Sequence, residues 1–117
     1  LAAASEAVRP PWVLFTSSRE VYGEPDEVPV VESAPIRPIN SYGRSKAEGE
    51  ALGAEAGQRG LRTAIVRLSN VYGSPLDHRD RVIPRLVRAA LRGETICVAG
   101  AARVFDFTHV EDVVRGL

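Results

Sequence analysis

No apolar run in these 117 residues is long enough to cross a bilayer, so no membrane span is expected. The opening LAAASEAVRPP lacks the basic region and longer apolar core of a signal peptide. A single cysteine, Cys97, excludes an internal disulfide and a cysteine-rich zinc site. The two histidines, His78 and His109, lie far apart in the chain, and no metal site is expected. Net charge is zero, which argues against capture of nucleic acid or of a membrane surface. Together these absences point to a reducing, cytoplasmic setting. Lysine is the scarcest charged residue. Fifteen basic residues are present and Lys46 is the only lysine among them. Arginine serves wherever a generic positive charge suffices, so the one lysine calls for its own explanation.

What is present is a globular composition, 44% hydrophobic and 26% charged, at a length that permits one domain with a modest core. Leu1 to Val8 reads as the end of a helix closed by Pro10 and Pro11. The run from Trp12 to Thr16 reads as a buried parallel strand, and Ser17 to Pro38 as a long ordered loop. Ser41 to Gly57 reads as a helix capped by Asn40 or Ser41, and Thr63 to Leu68 as a second buried strand. Asn70 to Asp80 reads as a loop. Val82 to Leu91 is helical, with Ile83, Leu86, Val87, Ala90 and Leu91 on one face. Thr95 to Val98 and Val104 to Thr108 read as short strands, with Cys97 in the core, and a last helix starts at Val110. This order implies a parallel sheet with functional residues at the C-terminal strand ends, Thr16-Ser17-Ser18 and Leu68-Ser69-Asn70. Neither end of the chain carries a cap or stop signal, as expected of a piece of a longer protein.

Tyr42 and Lys46 stand four apart at the start of the helix and so share one face. A free tyrosine keeps its proton to about pH 10. A neighbouring ammonium and the positive end of a helix dipole both favour the phenolate, so a tyrosine so placed can act as acid and base. A strand-end hydroxyl such as Ser18 can hydrogen-bond an oxygen on which charge develops. The compact head of lysine can donate to more than one oxygen, for example two ribose hydroxyls. The plainer alternative is a packed aromatic beside a solvated charge.

The segments TSSREVYGE (16–24), PINSYGRSK (38–46), RLSNVYG (67–73), VIP (82–84) and DFTHVEDVV (106–114) carry a wider pattern. In this order and spacing they resemble the extended short-chain dehydrogenase/reductase family, in its NAD-dependent sugar-nucleotide epimerase/dehydratase branch. The resemblance implies an α/β fold: the C-terminal part of a Rossmann-like doubly wound parallel sheet plus the start of a small substrate-binding region. Residues 1–75 would be the second half of the dinucleotide-binding domain. Residues 76–117 would begin the substrate region and return to the Rossmann core. The glycine-rich N-terminal half would lie outside the chain. The resemblance makes Ser18, Tyr42 and Lys46 catalytic. It puts Thr16, Ser17 and Ser69, with Tyr42 and Lys46, against the cofactor, and Ser18, Glu20, Asn70 and Val82 against the substrate.

Departures from the family pattern narrow the expectation. Sugar 4,6-dehydratases carry Asp-Glu directly after the Ser/Thr, where this chain has Arg19 and Glu20. The acid is missing, which argues against a standard 4,6-dehydratase. Glu20 then has two readings, a substrate-facing carboxylate or a loop carboxylate paired with an arginine. Many relatives place an arginine just before Asp-Phe/Tyr-x-His-Val, where this chain has Phe105. Arg103 would face the same side if the segment is extended. His109 reads as a structural hydrogen-bonding residue, and the arginines at 79, 81, 85, 88 and 92 as a solvated face.

The expected function is that of an NAD-dependent epimerase acting on a nucleotide sugar through a transient keto intermediate, exercised by a longer protein, the 117 residues alone being inactive. The residues do not separate NAD from NADP. Two alternatives are carried: a dehydratase or decarboxylase of the same family, and a non-catalytic NAD(P)-binding regulatory module. The Tyr42/Lys46 pair disfavours the last. Small residues along helix 41–57, including Gly43, Ala47, Gly49, Ala51 and Ala54, suit a close helix contact, and the family resemblance makes a homodimer there an expectation.

Overall fold

The computed structural model describes Leu1 and residues 11–74, 76–100 and 103–117. They form two compact units, Leu1–Leu68 and Ser69–Leu117. The expected helix over Leu1 to Val8 lies outside the described residues. Among the described residues, no helix is long and apolar enough to cross a membrane.

In the first unit, β1 (Val13–Ser18) is followed by a 3₁₀ turn (Arg19–Tyr22), α1 (Ser41–Gln58) and β2 (Thr63–Leu68). β1 and β2 pair in parallel, from Val13 against Thr63 to Ser18 against Leu68, and α1 packs on both strands. The helix starts where expected because the side chain of Asn40 accepts from the Gly43 amide at 2.7 Å. It lies close to the sheet because its inner face is small. Gly43, Gly53 and Ala56 are buried, and Gly49 sits against the Phe15 ring. A methyl group at Gly43 would meet the Glu20 carbonyl oxygen at 2.5 Å. Val21, Ala56 and Leu61 complete the core of this unit. Gly49 therefore serves the unit's own sheet and Gly43 its 3₁₀ turn, whereas Ala51 and Ala54 stay exposed. Both strands are half-buried along most of their length rather than enclosed, since one helix covers one face of a two-stranded sheet.

In the second unit, β3 (Asn70–Tyr72) pairs in parallel with β4 (Phe107–His109), and α2 (Val82–Arg92) and α3 (Val110–Gly116) complete the elements. Gly93, in the left-handed region at φ 67°, closes α2. His109 caps α3, its Nδ1 accepting from the Glu111 amide at 3.3 Å.

The structure departs from the pattern of the sequence in several segments. The segment Asn70 to Asp80 opens with a strand. Thr95 to Val98 takes no regular structure, and the later strand begins at Phe107 instead of Val104. Apolar character alone does not make a strand, because the backbone also needs a neighbour to take its hydrogen bonds. Thr95 to Val98 has none among the described residues. Cys97 is accordingly exposed and not in the core. Arg103 is not on a strand, and Phe105 lies beside Phe107 with ring centroids 6.0 Å apart. Ile83 and Leu86 on α2 are half-buried, but Val87 and Leu91 are exposed.

Candidate functional site

The end of β1 and the first turns of α1 bring Thr16, Tyr42 and Lys46 together. Lys46 lies one turn beyond Tyr42. Its Nζ donates to the Thr16 carbonyl at 2.9 Å and stands 5.6 Å from the Tyr42 ring centre and 5.2 Å from that of Phe15. A lysine ammonium has three protons to donate, and Thr16 takes one. Tyr42 is 54% exposed, so its phenol is open to a ligand. Thr16 and Ser18 are two apart on the strand and so share a face. Ser18 is buried and caps the 3₁₀ turn, its oxygen accepting from the Glu20 amide at 3.2 Å. The cap uses the oxygen as acceptor and leaves the O–H to donate.

Ser17 points elsewhere. Its hydroxyl donates to Glu50 Oε1 at 2.5 Å. Glu50 is buried and forms a two-point pair with Arg67 of β2, Nε to Oε1 at 2.9 Å and Nη2 to Oε2 at 2.7 Å. Arg67 also donates through Nη1 to the Tyr22 hydroxyl at 2.6 Å and the Glu32 carbonyl at 2.9 Å, and its guanidinium lies 4.8 Å from the Tyr22 ring centre. The Arg67 hydrogen bonds hold the Glu50 carboxyl below its ordinary range, against the opposing effect of burial. Glu50 in turn holds the proton on Arg67 more tightly. Neither Glu50 nor Arg67 was expected at the site. Two signals were readable: Glu50 continues the four-residue spacing of Tyr42 and Lys46, and Arg67 interrupts an otherwise apolar strand.

Glu20 makes an ion pair with Arg19 at 3.0 Å and accepts from Asn40 Nδ2 at 2.9 Å. The remaining expected residues belong to the second unit. Ser69 Oγ and Asn70 Nδ2 both donate to the Asp106 carbonyl, at 2.6 and 3.0 Å, beside the start of β4. Val82 is the exposed first residue of α2.

Known proteins share this arrangement of elements. The family model described as "NAD dependent epimerase/dehydratase family" matches residues 1–117. A UDP-glucose 4-epimerase from Streptomyces lividans is 38% identical over 117 residues, covering 88% of this chain and 36% of the relative. A dTDP-glucose 4,6-dehydratase from Streptomyces griseus is 35% identical over 103 residues, covering 86% of this chain and 31% of the relative. The solved structure of a UDP-glucuronic acid 4-epimerase from Bacillus cereus, in complex with UDP-glucuronic acid and NAD, superposes with a TM-score of 0.79 at 26% identity. That match covers 98% of this chain and 36% of the other. The chain thus spans about a third of the length of the relatives it matches.

Proposed function

The chain belongs to the NAD-dependent epimerase/dehydratase family, and from that premise we propose that it carries the acid/base centre of an epimerase acting on a nucleotide sugar. The observation that carries the reading is Lys46, anchored by the Thr16 carbonyl beside the exposed Tyr42. The donor set fits the nicotinamide-ribose part of NAD. Lys46 has two protons left after Thr16, enough for two ribose hydroxyls, and Tyr42 lies open next to it. NAD, when bound, supplies the acceptor for a hydride and gives the hydride back.

The residues of the chain do the rest. Tyr42 takes the proton from the sugar hydroxyl as the carbon beneath it is oxidised, and returns that proton when the keto sugar is reduced from its other face. Lys46 holds its ammonium 5.6 Å from the centre of the Tyr42 ring, whose oxygen gives and takes the proton. Ser18 donates its O–H to the same sugar oxygen while charge builds there. Thr16 and Ser69 are assigned to the cofactor side, and Ser17 to it through its backbone alone, its hydroxyl being held by Glu50. Glu20, Asn70 and Val82 are assigned to the substrate. Epimerisation is preferred to 4,6-dehydration because Arg19 occupies the position of the dehydratase acid and pairs with Glu20. A homodimer through helix 41–57 would use its exposed side, where Ala51, Leu52 and Ala54 lie, and sedimentation of the intact protein tests it.

The deciding experiment is Tyr42→Phe in the intact protein, assayed with UDP- and dTDP-sugars. Turnover should fall by roughly a hundredfold to ten-thousandfold while NAD affinity stays within about twofold. Undiminished turnover removes Tyr42 from the chemistry. Release of water or carbon dioxide by the unmodified protein, with no epimer formed, replaces the epimerase by the dehydratase or decarboxylase reading.

A further inference from the structure

The Glu50–Arg67 cluster takes no part in the proton and hydride steps, yet it joins every segment that bears a residue for them. Glu50 lies on α1 two turns beyond Tyr42 and one beyond Lys46, on the same side of the helix. Its carboxylate reaches β1 at Ser17, the residue between Thr16 and Ser18. Arg67 holds that carboxylate from β2 and the Tyr22 hydroxyl at the far end of the 3₁₀ turn that Ser18 opens. Ser18 is thus flanked by two anchored residues, Ser17 before it and Tyr22 after its turn.

We propose that Glu50 and Arg67 are positioning residues for the acid/base centre, fixing the rotation of α1 that places Tyr42 and Lys46 and the strand end that places Ser18. The inference rests on the acid/base reading given above. Its physical basis is the nature of a mostly buried ion pair. Side-chain exposure is 22% for Arg67 and 6% for Glu50, so both groups have lost much of their water. Such a pair is seldom more stabilising than well-packed apolar side chains of the same size. Its distinctive property is direction. The two-point fork defines both distance and plane between helix and strand, which apolar contact does not. Besides the packing of α1 on the strands, Lys46 gives the helix one directional tie, its hydrogen bond to Thr16. Glu50, one turn along, adds a second. A misplacement of about 1 Å can cost on the order of a hundredfold in rate.

The test uses the intact protein, with active sites counted by the NAD released on denaturation. Glu50→Gln keeps the side-chain size and removes the charge. Ser17→Ala removes one tie and leaves the Glu50–Arg67 fork whole. For Glu50→Gln, kcat per NAD-holding site should fall on the order of tenfold or more. For Ser17→Ala the fall should be smaller and in the same direction. KM for the nucleotide sugar should stay within about twofold in both. A merely structural role would reduce the number of NAD-holding sites and leave kcat per site unchanged, and that result overturns the proposal. If Glu50→Gln yields no folded protein, Ser17→Ala decides by the same criterion. Tyr42→Phe is assayed alongside. If it retains full turnover, the acid/base reading has failed. If it is inactive while Glu50→Gln and Ser17→Ala run at the unmodified rate per site, only the positioning role has failed.

Discussion

In the first unit Val21 and Ala56 are wholly buried and Leu61 is nearly so, whereas in the second unit Leu91 keeps 81% of its surface exposed and Val87 keeps 52%. The contrast extends to polar groups. The first unit buries Glu50 and satisfies it with Arg67 and Ser17. In the second unit Ser69 and Asn70 spend their side chains on one backbone carbonyl, that of Asp106. Both units carry helices with an apolar stripe or a small-residue face, and both contain a parallel strand pair. They differ in how fully the longer helix closes on its sheet. α1 closes further because Gly49 and Gly53 let it approach the strands. The Ile83–Leu91 stripe of α2 has no comparable cover, for none of its residues is buried. An apolar periodicity thus marks a face that could be buried, and packing partners decide whether it is.

This comparison can be broken or sharpened by substitution. The largest effect is expected at Lys46. Lys46→Arg keeps the charge but replaces a compact head by a planar fork, and turnover of the intact protein should fall on the order of a hundredfold. Near-normal turnover would reduce the single lysine to a generic cation.

Next comes Arg67→Met, which leaves Glu50 buried without its partner. The cost should be about 3 kcal/mol, read from urea unfolding. A cost below about 1 kcal/mol would mean that water already reaches the pair.

A smaller, pH-dependent effect follows from Glu50. Its carboxyl is held below the ordinary value of 4.5, chiefly by hydrogen bonds from Arg67. The stabilisation is therefore complete above that value and is lost as pH falls through the lowered one. The stability gap between the unmodified protein and Glu50→Gln should close in acid, starting below about pH 4.5. A gap that stays constant down to pH 2 would show that the Glu50 charge contributes nothing.

The smallest effect is expected in the second unit, where Leu91→Ser should alter stability by no more than about 0.5 kcal/mol in the 117-residue chain. A loss comparable to that of Arg67→Met would show that the α2 stripe is covered after all.

How much of this was legible in the sequence differs element by element. α1 was readable almost to the residue because its start signal is local: Asn40 accepts from an amide three residues on. β2 was readable from the run Thr63 to Leu68, apolar through Ala64, Ile65, Val66 and Leu68 but for Arg67. The segment Thr95 to Val98 carries a similar run and forms no strand, since a ladder needs a second chain segment that no local pattern names. β3 was missed for the complementary reason. Asn70–Tyr72 is too short to show a period, and it is a strand because Phe107–His109 lies beside it.

At the candidate site, the four-residue spacing determined by itself that Tyr42 and Lys46 share a face, since helix geometry follows from backbone sterics alone. The sequence also determined that the chain has one lysine to use there. Only the tertiary structure decided what that lysine holds. Thr16 is 30 residues away and offers a carbonyl, a group every residue carries and no motif can flag. It likewise decided that Glu50 meets Arg67 and Ser17, which are 17 and 33 residues distant. Short-range order in this chain comes from local sterics and caps, while partners across such separations are chosen by which segments the packed sheet and helix bring within hydrogen-bond reach.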